Sequence, residues 1–205
     1  LARHKQETLP GDGLMDAIQE MLAKQAISEV IVRYARAIDR LDEAMLRSVF
    51  HADSQHNHFY SGPSSDPSRP AEGEDPGDFV RYALQVLSSH LRTHHQLGNT
   101  LITLENDRRA TAESYFTAYH RMRAHGDPLA APNAYATEMD FFVGGRYLDV
   151  FECRDGLWGI VERVGMTDWT RIEGPSANSM AGMDPDTLGG RHPNDRIYWL
   201  HAKQS

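Results

Sequence analysis

The stretch "FFVGGRYLDVFECRDGLWGIVERVGMTDW", Phe141 to Trp169, decides how the chain folds. Two apolar, β-branched and aromatic runs flank Asp155-Gly156, a dipeptide suited to the left-handed conformations of a tight hairpin turn. Both runs alternate in the manner of strands with one buried face. Similar segments lie upstream, "THHQLGNTLITLEND" and "RATAESYFTAYHRMR", separated by the turn signals "ENDRR" and "HGDPLAAPN". The second half of the chain thus reads as an antiparallel meander. Its strands are long and must curl to cover anything, and Gly98 and Gly144-Gly145 are the natural bend or bulge points.

Upstream of the meander the period changes. Ile27, Val30, Ile31, Tyr34 and Ile38 recur at three- and four-residue spacing, which predicts one apolar stripe on a helix beginning near Met15 and ending near Arg40. Asp42 reads as the N-cap of a short second helix, "EAMLRSVF", and "DFVRYALQVLSSH" as a third with Asp78 as a cap. "HADSQHNHFYSG" is a short strand or loop, and "PSSDPSRPAEGEDPG" an exposed loop. Helices first and strands after predict an α+β fold with the helices packed on one face of a curved antiparallel sheet. The organisation expected is a flexible leader over 1–14, one domain over 15–172 and a tail over 173–205. Ile197, Tyr198 and Trp199 are costly to leave in water, so the tail is expected to fold over a pocket mouth or a neighbouring subunit.

Composition narrows the partners. The 205 residues carry a formal net charge of −8, against the basic surface that nucleic acids and anionic membranes require. The single cysteine excludes an internal disulfide framework, and a reducing cytoplasmic setting is the expectation. No apolar run approaches the ~20 residues of a membrane span.

The adjacent histidines of "RTHHQLGNT" cannot share a strand face. Thr93, His95, Leu97 and Asn99 fall on one side, His94 and Gln96 on the other. The larger apolar neighbours put His95 and Asn99 on the concave face and His94 on the outer one, although Ile102 and Leu104 pull the other way further along. Asp39 lies about 140° round the first helix from Tyr34, at the edge of the buried stripe. A carboxylate at a helix C-terminus is locally unfavourable, which points to a role beyond the helix. His56 and His58 can share a strand face, and they are expected to line the pocket mouth or to cap loops. No recognised metal-ligand spacing is present, and no metal or other cofactor is expected. Tyr119 and Phe141 are candidates to shape a pocket for a ring-bearing ligand.

Together "VIVRYARAIDRLDEAMLRSVFHADSQHNHFYSG", "RTHHQLGNTLITLENDRRATAESYFTAYH" and "RYLDVFECRDGLWGIVERVGMTDWTR" resemble the SnoaL-like branch of the nuclear-transport-factor-2-like superfamily. Its members include scytalone dehydratase, hexachlorocyclohexane dehydrochlorinase and bile-acid dehydratase. The resemblance implies a cone-shaped α+β barrel, three helices wrapped by a strongly bent sheet around a pocket. It implies catalysis by an Asp39–His95 pair, assisted by Tyr34 and by Arg163 on the last strand. The implied activity is a cofactor-independent lyase, of dehydratase or dehydrohalogenase type, or an isomerase acting on a small hydrophobic cyclic molecule. A polyketide-cyclase-like enzyme and a non-catalytic ligand-binding cone are the alternatives. A homo-oligomer, trimer ahead of dimer, is also implied.

Overall fold

The computed structural model describes residues 11–57, 76–175 and 182–202. In chain order the elements are α1 (Gly11–Arg40), α2 (Glu43–Ser48), β1 (Phe50–Asn57), α3 (Pro76–Ser88), β2 (His90–Leu104), β3 (Arg109–Met122), β4 (Met139–Arg154), β5 (Leu157–Glu173) and α4 (Arg196–Ala202). The strands form one five-stranded sheet in the order β1-β5-β4-β3-β2. The fold is α+β, with the helices held against one face of a curved sheet. The sheet is mixed rather than purely antiparallel, because β1 runs parallel to β5 along its free edge. No hairpin joins those two strands, so nothing forces them to oppose. Asp78 falls within the first turn of α3 instead of before it.

The predicted stripe of α1 is buried as a unit: Ile27, Val30, Ile31, Tyr34 and Ile38 all pack into the core. The helix ends where Leu41 takes a left-handed conformation (φ 53°). The Asp42 N–H then reaches back to Ala37 O (3.0 Å) and the Leu41 N–H to Ile38 O (3.4 Å), the Schellman pattern. Asp42 next caps α2, accepting from the Met45 N–H at 3.0 Å. This tight corner fixes Asp39 in the last turn of α1.

Extra residues bend the sheet. In β2 the pairing with β3 skips at Leu91 and again at Gly98–Asn99. In β5 the pairing with β4 skips at Val161 and at Asp168. Each inserted residue kinks its strand and reverses which face the following side chains occupy. The β4–β5 hairpin turns through Asp155 and Gly156, both at positive φ (53° and 78°). Opposite the Asp168 bulge, Gly144 lies under the Trp169 ring and Gly145 against Met166 O. A β-carbon at Gly145 would lie 2.0 Å from that carbonyl oxygen. Gly145→Ala should therefore cost about 2 kcal/mol or more in denaturant unfolding, whereas Gly174→Ala, which meets nothing within 4 Å, should stay within about 0.5 kcal/mol.

Candidate active site

Between α1, α3 and the concave sheet face lies a cavity of about 320 Å³. Its walls are mostly apolar: Ile38, Ala83, Val86, Leu87, Phe116, Phe141 and Val143. Besides Tyr82, Thr167 and Thr170, polar groups gather in two places. His90, His95 and His120 stand side by side, and Tyr34 and Tyr147 present phenols. The His120 ring is 5.2 Å from that of His95 and 5.3 Å from that of His90, centre to centre.

His95 is tied to Asp39 twice. Its Nδ1 lies 2.8 Å from Asp39 Oδ1, and its backbone N–H donates to Oδ2 at 2.8 Å. Burial acts to raise the Asp39 carboxyl, but the hydrogen bonds and charge of His95 outweigh it and hold the group below its ordinary value. An ionised carboxylate only accepts, so Nδ1 is the protonated ring nitrogen. Nε2 is left unprotonated in the neutral ring, and the ring lines the cavity.

Tyr34 and Tyr147 sit on a second buried pair. Arg163 Nε and Nη2 donate to the two oxygens of Asp149 at 2.6 and 2.7 Å, all fully buried. The two residues are direct cross-strand partners. The guanidinium carbon lies 4.0 Å from the centre of the Tyr34 ring and 4.4 Å from that of Tyr147. Burial raises both phenols above their ordinary value, Tyr147 strongly, although the Arg163 charge opposes it. Both therefore stay protonated, and a hydrogen bond between the two hydroxyls leaves one of the two protons to donate.

Several expected residues lie elsewhere. Arg163 does not line the cavity: its charge is matched by Asp149 beneath the tyrosines, so it supports the site from behind. Asn99 is exposed, because the Gly98–Asn99 bulge reverses the strand face after Leu97 and turns Ile102 inward in its place. Tyr119 faces outward and donates to Asp140 at 2.9 Å. Phe141 lines the cavity. His56 pairs in register with Arg163 on β1, but its side chain and the whole of His58 lie outside the described residues. None of the described residues of the tail lines the cavity. Tyr198 instead donates to Asp42 Oδ2 at 2.8 Å at the α1–α2 corner, and Trp199 stays exposed.

His90, His120 and Tyr147 line the cavity without being among the expected site residues. On β3 the inward positions are Ala110, Ala112, Ser114, Phe116, Ala118 and His120, while Tyr115 and Tyr119 point away. A concave face wrapped round a helix has little room, so small residues mark it better than large aromatics do. Among the described residues no group of three or more His, Cys, Asp or Glu side chains is arranged to hold a metal ion. No helix among them is long and apolar enough to cross a membrane.

Residues 19–164 match the SnoaL-like domain family, and the chain belongs to it. A type 2 hexachlorocyclohexane dehydrochlorinase superposes with a TM-score of 0.61 at 13% identity, over 82% of this chain and 99% of that one. A scytalone-dehydratase-like protein from Novosphingobium aromaticivorans gives 0.59 at 19% identity over 82% and 99%. A type 3 hexachlorocyclohexane dehydrochlorinase from Novosphingobium barchaimii gives 0.59 at 13% over 78% and 96%. At these identities the likeness is one of fold. Comparison with curated proteins finds no match.

Burial, followed by repulsion from His95 and His90, pushes the His120 imidazole down from 6.5 to about 3. Below about pH 6.5 the unfolded chain binds a proton there that the folded protein does not. Stability should therefore fall by ~1.4 kcal/mol per pH unit as pH drops through that window, levelling off only near the folded value. Asp39, depressed in the fold, loses its contribution later, as pH falls through its own folded value. Denaturant unfolding between pH 7 and 4 should show the slope, and His120→Asn should remove most of the part above pH 5.

Proposed function

We propose that the protein is a cofactor-independent lyase or isomerase that removes a proton from carbon in a small, uncharged, hydrophobic and cyclic substrate. The observation that supports this most is the Asp39–His95 pair, whose imidazole lines an apolar cavity that Tyr34 and Tyr147 also line. In this reading Nε2 takes a proton from a carbon beside a carbonyl or a leaving group. Asp39 keeps the ring in the needed tautomer and stabilises the imidazolium that forms. Tyr34, with Tyr147, donates a hydrogen bond to the substrate oxygen or departing group. His120, held neutral, offers a further hydrogen-bonding nitrogen. In the elimination, the C–H electron pair becomes the new double bond as the bond to the leaving group breaks. In the isomerisation, the proton returns to another carbon of the same system.

The cavity walls favour an apolar body. Its size, at the lower end of the ~300–1,000 Å³ usual for ligand pockets, favours one small molecule. Among the described residues no arginine or lysine lines the cavity, Arg163 included, so a substrate carboxylate would find no cationic partner among them. A positioned general base contributes typically ~10²–10⁴-fold. Screening uncharged cyclic alcohols, β-hydroxyketones and cyclic halides for appearance of a conjugated product should identify turnover. His95→Ala should then reduce kcat by that factor and Asp39→Asn by nearly as much. The double variant should lose little more than either alone, because the two act as one unit. Ligand binding unchanged in every variant, with no turnover in the parent, would favour a non-catalytic binding cone.

We also propose a homo-oligomer, a trimer ahead of a dimer. Leu101, Tyr115 and Leu148 are exposed on the outer sheet face, and Trp169 and Ile172 near the end of β5. A monomer rarely leaves such apolar area in water. Light scattering at micromolar concentration should give a multiple of 23.1 kDa, and a monomer mass would refute this.

A further inference from the structure

The segment around Gly189–Tyr198 lies beyond the residues that match the family, yet it docks directly behind Asp39. The last four carbonyls of a helix need outside partners. In α1 the corner at Leu41 satisfies Ala37 and Ile38. The other two carbonyls are taken by the tail: Arg191 Nη1 donates to Asp39 O at 3.0 Å, and the His192 N–H to Arg40 O at 2.7 Å. The tail is anchored independently of these contacts. Arg92 Nη1 donates to Gly189 O at 2.7 Å, and the Tyr198 hydroxyl holds Asp42.

We propose that Arg191 is a positioning residue of the Asp39–His95 pair, pinning the Asp39 backbone and adding a second positive charge behind the dyad. The proposal rests on reading that pair as the working dyad. A helix C-terminus carries partial negative charge and an aspartate there adds more, so a guanidinium at this point offsets both. His95 also favours the ionised carboxylate through its own hydrogen bonds and charge, but it leaves the Asp39 carbonyl to Arg191. His95 and His120 approach Asp39 from β2 and β3, and Arg40 turns toward Asp195 at 3.7 Å. Burial, Arg92 and Arg123 all act against the Arg191 charge, and attraction to Asp39 opposes them. Each charge thus supports the other.

Carboxyl-detected NMR of the full chain reads the titration midpoint of Asp39 without any substrate. Arg191→Gln should raise that midpoint by about half a pH unit or more, the direction expected when a nearby cation is lost. Arg191→Lys should keep most of the parent value. Tyr198→Phe, which loosens the tail but keeps the cation, should lower the melting temperature and leave the midpoint in place. Where Arg191→Gln does not fold, Arg191→Met keeps the side-chain stem and serves the same comparison. A midpoint unmoved by loss of Arg191, or moved equally by Tyr198→Phe, overturns the proposal. His95→Ala separates it from the dyad: a midpoint raised there but not by Arg191→Gln overturns only the role of Arg191, whereas no movement in either overturns both.

Discussion

The structure depends on bending a five-stranded sheet far enough to enclose a helix. A regular twisted sheet does not do so, and the chain achieves it with residues inserted at Leu91, Gly98–Asn99, Val161 and Asp168. Gly144 and Gly145 permit it where β5 folds over β4, because side chains there would collide with Trp169 and Met166. The bend brings α1 and the start of β2 together, and with them two residues 56 positions apart. The Asp39–His95 contact follows from that curvature.

Two buried charged pairs divide the labour. Arg163 and Asp149 are wholly enclosed and joined by two hydrogen bonds. Such a pair contributes little net stability, since desolvation offsets most of the attraction. Its value is geometric: it gives the Tyr34 and Tyr147 rings a cationic surface to lie against. Asp39 and His95 meet at the edge of the cavity, where one imidazole nitrogen is left over. Charge locked away beneath the phenols and charge available at the imidazole are thus kept apart.

The elements were legible in the sequence wherever a local rule acts alone. The α1 stripe, the Asp42 cap and the Asp155-Gly156 hairpin each rest on a few neighbouring residues. The face of His95 was legible for the same reason, since Leu97 shares its stretch of strand. Asn99 was misread because periodicity assumes an unbroken strand, and the conflicting signal of Ile102 and Leu104 was the trace of the bulge. Tyr119 falls outside because aromatic side chains suit either face of a strand, whereas the space inside the curve admits Ala112 and Ala118.

The sequence by itself determined the order of helices and strands, the stripe that α1 buries and the turns that end each element, because those follow from contacts within a few residues. Only the tertiary structure decided that Arg163 lies against Asp149 rather than in the cavity, that His120 joins His90 and His95, and that the tail closes on Asp39. Those outcomes depend on how far the sheet bends. Bulges between distant strands set that bend, and no short window of sequence contains them.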